Sequence, residues 1–193
     1  MKLMIASDIH GSATYCSQLL DAYKRENADR MLILGDILYH GPRNDLPDGY
    51  APKEVIKLLN ENSNEFFCVR GNCDGEVDQM VLKFPIMADY SIFCMGDRLV
   101  YATHGHHQNP QTPPPMKKGD ILLTGHTHVP KCEPFGENLY INPGSVSIPK
   151  ENSYRGYIIW DDNCEETITF RKLDGTIWKI VTKSELDELC PIL

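Results

Sequence analysis

Ile121-Leu122-Leu123-Thr124-Gly125-His126-Thr127-His128 is an apolar run that stops at a glycine and then offers two imidazoles one residue apart. The apolar part reads as a buried strand. Beyond a strand end the backbone no longer alternates cleanly, so both rings can turn toward one point, and Gly125 removes the side chain that would crowd it. For this pair alone two readings are open. One is a polar turn with two solvated histidines; the other is a pair of metal ligands, imidazole being the commonest protein donor to transition metals.

Working outward, the same kind of ending recurs. Leu3-Met4-Ile5-Ala6 is a short apolar strand that runs into Ser7-Asp8-Ile9-His10-Gly11, and Met31-Leu32-Ile33-Leu34 is a buried strand that ends in Gly35-Asp36. Between them Ser12 can cap a helix whose apolar positions Tyr15, Leu19, Ala22 and Tyr23 recur at helical spacing. A strand, a helix and a strand form a parallel unit, and ligands gather outside the carboxyl ends of such strands. Tyr39 to Tyr50 is a loop by its prolines and glycines, and Pro52 opens a helix with Val55, Ile56, Leu58 and Leu59 on its inner face. Phe66-Phe67-Cys68-Val69 is a third strand, delivering Arg70-Gly71-Asn72-Cys73-Asp74 to the same rim.

After residues 76–83 the alternation gives way to successive strands. Asp89 to Met95 and Arg98 to Thr103 read as a hairpin through Gly96-Asp97, and the second of them ends in His104-Gly105-His106-His107. Leu139 to Asn142, Gly156 to Trp160 and Thr167 to Arg171 supply more strands, Asn142-Pro143-Gly144-Ser145 a sharp turn, and Thr182-Lys183-Ser184-Glu185 a capping box ahead of a short final helix. An alternating first half and a β-rich second half predict an α/β fold, a four-layer αββα sandwich of two mixed sheets flanked by helices, built as one domain over residues 1–193.

With 41% apolar and 24% charged residues the chain can bury a core and shows no sign of disorder. Its net charge of −8 argues against a long groove for polymeric nucleic acid, whose binding rests on phosphate neutralisation. The seven cysteines are scattered, with no C-x-x-C pair, as expected of reduced thiols in the cytoplasm. The apolar run at Leu3–Ala6 is too short for a signal-peptide core, and no stretch approaches a bilayer span.

Asp8/His10, Asp36, Asn72, His104 and His126/His128 therefore stand at the exits of five predicted strands. Singly, each has a plain structural explanation: helix entry for Asp8-x-His10, turns for Asp36 and Asn72. Together they form a nitrogen and oxygen donor set suited to Mn²⁺, Fe, Ni²⁺ or Zn²⁺, and the lack of cysteine among them argues against a structural zinc site. Seven donors exceed what one ion needs while holding a water, and they suit two ions if Asp36 bridges. Two such ions can share a hydroxide and clamp both oxygens of an in-line phosphoryl displacement.

The ordered series Asp8-x-His10, Gly35-Asp36, Gly71-Asn72, His104-Gly105-His106 and Gly125-His126-Thr127-His128 resembles the calcineurin-like metallophosphoesterase superfamily over about the first three quarters of the chain. Gly71-Asn72-Cys73-Asp74 and His40-Gly41-Pro42-Arg43 look most like its small bacterial YfcE-type phosphodiesterases. The resemblance implies a dinuclear site, commonly Mn²⁺-dependent. It assigns Asp8, His10, Asp36 and His128 to one ion, and Asp36, Asn72, His104 and His126 to the other. It also implies a homo-oligomer. The expected function is hydrolysis of a small phosphodiester by a metal-bound hydroxide, the alternatives being a phosphomonoesterase or nucleotidase on the same site and a non-catalytic protein-binding scaffold.

One position departs from the superfamily pattern. Where many of these phosphatases carry a histidine to protonate the leaving oxygen, this chain has Cys73, a poorer donor to an alkoxide at neutral pH. A bias toward diesters, or toward leaving groups that need little protonation, is expected. His106 and His40 are substitute acids if not simply solvated. Arg43, beside His40 in the same loop, is a candidate contact for a phosphate oxygen, or else a surface residue. Asp74 is either an acceptor orienting a ligand histidine or a turn aspartate. Asn142 to Ser145 reads as structural, with Ser145 within possible reach of the rim.

Overall fold

The computed structural model describes residues 1–165 and 167–191. The first half alternates β1 (Lys2–Ala6), α1 (Ala13–Glu26), β2 (Arg30–Ile33), α2 (Pro52–Asn60), β3 (Phe66–Cys68) and the single turn α3 (Glu76–Gln79). The second half is β4 (Tyr90–Met95), β5 (Arg98–Thr103), β6 (Ile121–Leu123), β7 (Pro130–Phe135), β8 (Asn138–Pro143), β9 (Gly156–Asp161), β10 (Ile168–Lys172), β11 (Ile177–Val181) and α4 (Lys183–Leu189). Two mixed sheets result, ordered β11-β10-β9-β1-β2-β3 and β4-β5-β6-β8-β7. Strands β1, β2 and β3 are mutually parallel in the first, as are β5, β6 and β8 in the second.

Side-chain alternation decides which way each strand faces. Leu3 and Ile5 of β1 point into the core between the sheets, where they meet Val100, Ala102, Ile121, Leu123, Leu139 and Ile141. Met4 and Ala6 point the other way, into a layer built by Leu19 and Ala22 of α1 and Val55 and Leu59 of α2. Ser12 caps α1 by accepting from the Tyr15 amide, and the Thr182–Glu185 capping box starts α4 as its sequence predicts. Leu186 and Cys190 close the end of the inter-sheet core, and Arg98 anchors them by donating to the Asp187 carboxylate at 2.6 Å. On the outer face of the second sheet, Tyr101, Leu122 and Tyr140 are covered by Met116 of the proline-rich loop and by Phe135.

Strands β7 and β11 are absent from the sequence reading. Both lie at sheet edges, where solvent blurs alternation, and β7 carries Pro130 and Pro134, which an edge tolerates and a central strand does not. No helix among the described residues is long and apolar enough to cross a membrane.

Candidate metal centre

The five polar clusters follow β1, β2, β3, β5 and β6, each at the carboxyl end of a parallel strand. The turns that follow β1, β2 and β6 are unusual. Asp8, His10, Asp36, His126 and His128 have φ of 60°, 47°, 55°, 67° and 62°, a left-handed backbone that costs an L-residue about 1–3 kcal/mol each. Such a backbone persists only where neighbours enforce it, and here they do. Ser145 and Ser147 donate from their hydroxyls to the Asp8 carbonyl at 2.8 and 3.0 Å. The Asp74 carboxylate accepts from the amides of Asp36, Ile37 and Gly71 at 2.8, 2.9 and 2.8 Å. Asn142 donates to the Gly125 carbonyl at 2.7 Å, and the His126 amide donates to Asp8 Oδ2 at 3.0 Å. A Cβ on Gly71 would strike Asp36, and one on Gly125 would strike Ser7.

Two clusters of donor atoms come together. In one, His10 Nε2 and His128 Nε2 are 3.2 Å apart, with Asp8 Oδ1 at 3.5 and 3.2 Å from them. In the other, His104 Nε2 lies 3.1 Å from Asn72 Oδ1 and 3.2 Å from His126 Nδ1. Asp36 Oδ2 stands between, 3.7 Å from His10 Nε2 and 3.4 Å from His104 Nε2. His10, His104 and His128 each donate Nδ1–H to a backbone carbonyl, of Tyr39, Leu34 and Ile148 at 2.8, 2.6 and 2.6 Å, which turns the Nε2 lone pairs inward. Converging lone pairs, with the buried Asp8 Oδ1 left without a hydrogen-bond partner, are the arrangement that a cation satisfies. The donors present fit divalent ions of the Mn²⁺ to Zn²⁺ series.

The carboxylates favour positive charge here. Burial pushes Asp8 up, but contacts from His10 and His128 outweigh it and hold the carboxyl well below its usual range. Burial likewise opposes ionisation of Asp36, yet His104 keeps it low. Burial would lower His104, but the bond to Asp36 and the Asp8 and Asp36 charges lift it to about 9; His10 is raised in the same way.

The centre opens into a cavity of about 390 Å³ whose walls include Arg43, Asn44, Cys73, Thr127 and Lys150. Arg43 is exposed there, and His40 is set back, its ring packed edge-on against Tyr39 and Tyr50. Cys73 is half-buried, its amide donating to Asp36 Oδ1 at 2.8 Å; burial and the Asp36 charge push its thiol far above the usual range. His106 lines a separate recess beyond His126. Burial and the neighbouring His104, His107 and His126 lower it to about 4, so at pH 7 the ring is the neutral imidazole, a weaker proton donor than an imidazolium. Asp74 bonds to none of the clustered histidines; it clamps backbone amides instead, and burial raises its carboxyl despite them. Ser145 reaches the Asp8 carbonyl, a structural contact. Lys150 was missed by the sequence reading. Its place depends on a loop that returns from β8, tied by its amide to the His128 carbonyl at 3.2 Å, and no local pattern marks it.

Comparison with known proteins bears on this centre. A family model described as the calcineurin-like phosphoesterase superfamily domain matches residues 1–163. Phosphodiesterase YfcE of Escherichia coli K12 is 47% identical over 163 residues, covering 84% of this chain and 89% of that one. The solved structure of YfcE, a phosphoesterase from E. coli, superimposes with a TM-score of 0.88 at 44% identity over 94% of this chain and 99% of that one. Phosphodiesterase MJ0936 of Methanocaldococcus jannaschii is 26% identical over 152 residues, 75% of this chain and 83% of its own.

Proposed function

The chain belongs to the calcineurin-like phosphoesterase superfamily, and from that membership we propose that it is a metal-dependent phosphodiesterase with a dinuclear centre, acting on a small phosphodiester. The observation that carries this reading is the Asp36 carboxylate, which one oxygen places within 3.7 Å of His10 and 3.4 Å of His104, shared between two donor clusters. Asp8, His10, Asp36 and His128 would hold one ion, and Asp36, Asn72, His104 and His126 the other. Mn²⁺ is our choice of ion, and Zn²⁺, Fe and Ni²⁺ suit the same donors. When bound, two such ions supply an activated water for in-line attack and offset the charge that develops on the phosphoryl oxygens.

The protein's own groups do the remaining work. Arg43 and Lys150 bring two cations to the cavity wall, where non-bridging phosphate oxygens would lie. Asp74 and the paired serines hold the ligand turns, so that little reorganisation is needed as charge develops. Cys73 is the group nearest to the place of a leaving-group acid, and its raised thiol gives up a proton poorly. Esters with good leaving groups and diesters are favoured for that reason. The seven free cysteines support a reducing compartment, and we place the protein in the cytoplasm.

The test is to strip the protein with chelator, refill it with Mn²⁺, and measure metal content and turnover of bis(p-nitrophenyl) phosphate and p-nitrophenyl phosphate. About two equivalents of metal and faster diester turnover are expected. Faster monoester turnover would make the protein a phosphomonoesterase. Metal uptake well below one equivalent with no turnover of either ester would leave only the scaffold.

A further inference from the structure

The two segments that line the catalytic cavity, Thr127-His128 and Lys150, continue as Val129-Pro130 and Glu151-Asn152 into a second cavity of about 380 Å³. The segments are fastened to each other. The Lys150 amide donates to the His128 carbonyl at 3.2 Å, and the Ser153 hydroxyl to the same oxygen at 3.4 Å. Glu151 and Asn152, with φ of 54° and 56°, turn the chain sharply at the rim of this chamber. Its floor is aromatic. The Trp178 ring lies 5.1 Å from Tyr154 and 5.8 Å from Phe170, yet the residue remains 49% exposed. The Tyr154 hydroxyl is buried with no hydrogen-bond partner. Asn152, Ser153, Glu151 and Lys172 complete the lining.

This composition selects an occupant. An indole held by two tilted ring contacts, at 42° and 64°, yet half-exposed offers surface for stacking, and a volume near 380 Å³ falls in the range of small-molecule sites. Asn152 and Ser153 offer donors and acceptors suited to the edge of a heteroaromatic ring. Glu151 and Lys172 carry opposite charges, so the chamber as a whole does not call for another phosphate. Trp178 and Lys172 stand on the β10–β11 hairpin, which thereby supplies one wall of the chamber.

We infer that the chamber between Trp178 and the Lys150–Asn152 turn receives a heteroaromatic substituent of the phosphodiester, a nucleobase being the fitting class, while the phosphate occupies the metal centre. The inference rests on the phosphodiesterase reading above. With Mn²⁺-loaded protein, kcat/KM is measured for the p-nitrophenyl ester of thymidine 5′-monophosphate and for methyl p-nitrophenyl phosphate, which shares the leaving group but carries no nucleobase.

Trp178→Ala should lower the ratio of the two values about tenfold, mostly through KM, and Trp178→Phe should recover most of it. Thymidine 5′-monophosphate should quench the emission of the wild type, because Trp178 is accessible and Trp160, 1% exposed, is not. An unchanged ratio in Trp178→Ala overturns the inference alone. Turnover of neither ester by the wild type removes the phosphodiesterase reading and this inference with it.

Discussion

Replacing Asp74 by Asn tests whether the clamp beneath the metal centre works as its contacts imply. Oδ2 accepts from the Asp36 and Gly71 amides and Oδ1 from Ile37, all within 2.9 Å and all buried. An asparagine keeps one acceptor oxygen and presents an NH₂ group in place of the other. However the amide is turned, at least one buried N–H loses its acceptor and faces another donor. A stranded buried donor costs about 1–3 kcal/mol, and the surviving bonds lose the charge that strengthened them. Their sum is a loss of about 2–4 kcal/mol, a large share of the 5–15 kcal/mol typical of a domain, though not all of it.

The residues released are Asp36 and the Gly71-Asn72 turn, so affinity for Mn²⁺ should fall by about 10–100-fold, the usual cost of losing a group that orients ligands. Urea unfolding of chelator-treated protein gives the first quantity and calorimetric titration with Mn²⁺ the second, with Asp45→Asn as an exposed control. A stability change under about 0.5 kcal/mol, with Mn²⁺ affinity unaltered, would refute the assignment of Asp74 as the organiser of these turns.

Gly71→Ala drives a Cβ into Asp36 and should cost about 1–3 kcal/mol in urea unfolding, with weaker Mn²⁺ binding even though an alanine has ordinary helix and strand propensity. Cys73→His puts a proton donor of ordinary pKa near 6.5 where the raised thiol stands, and should raise monoester turnover relative to diester turnover by tenfold or more, read with the two p-nitrophenyl substrates. His104 titrates near 9 in the fold against 6.5 unfolded. A raised pKa means that its contribution to the stability of metal-free protein is complete below pH 6.5 and is lost as pH rises through 9. Mn²⁺ must displace that proton, so its affinity should instead climb between pH 7 and 9 with proton uptake by the buffer; a flat affinity over that interval would contradict the site as drawn.

Much of this was legible in the chain because buried strands of a parallel sheet announce themselves as unbroken apolar runs. Leu3–Ala6, Met31–Leu34 and Ile121–Leu123 each halt at polar residues that are of no use to a core, and those residues are the ones that converge. The features that stayed hidden depend on backbone rather than on composition. Asp74 reads in the sequence as an acceptor for a histidine or a turn aspartate, but its partners are three amides, and amide positions have no signature in side-chain identity. The left-handed turn at Asp8 is held by serines 137 and 139 residues away, and those at His10 and His128 by carbonyls 29 and 20 residues away, all beyond the reach of local propensity. His106 reads in the sequence as a solvated ring or a substitute acid, and only the packing of four imidazoles in one corner reveals that it stays neutral.

The serine clamp on Asp8 joins residues 137 and 139 positions apart, and β1 lies between β2 and β9, the latter made only at residues 156–161. On the ribosome, therefore, the amino-terminal strand emerges long before the partners that fix its first ligand turn exist. The convergence of the donor side chains is therefore one of the last events of folding, and a nascent chain released early exposes an open strand edge to whatever chaperone or neighbour is at hand.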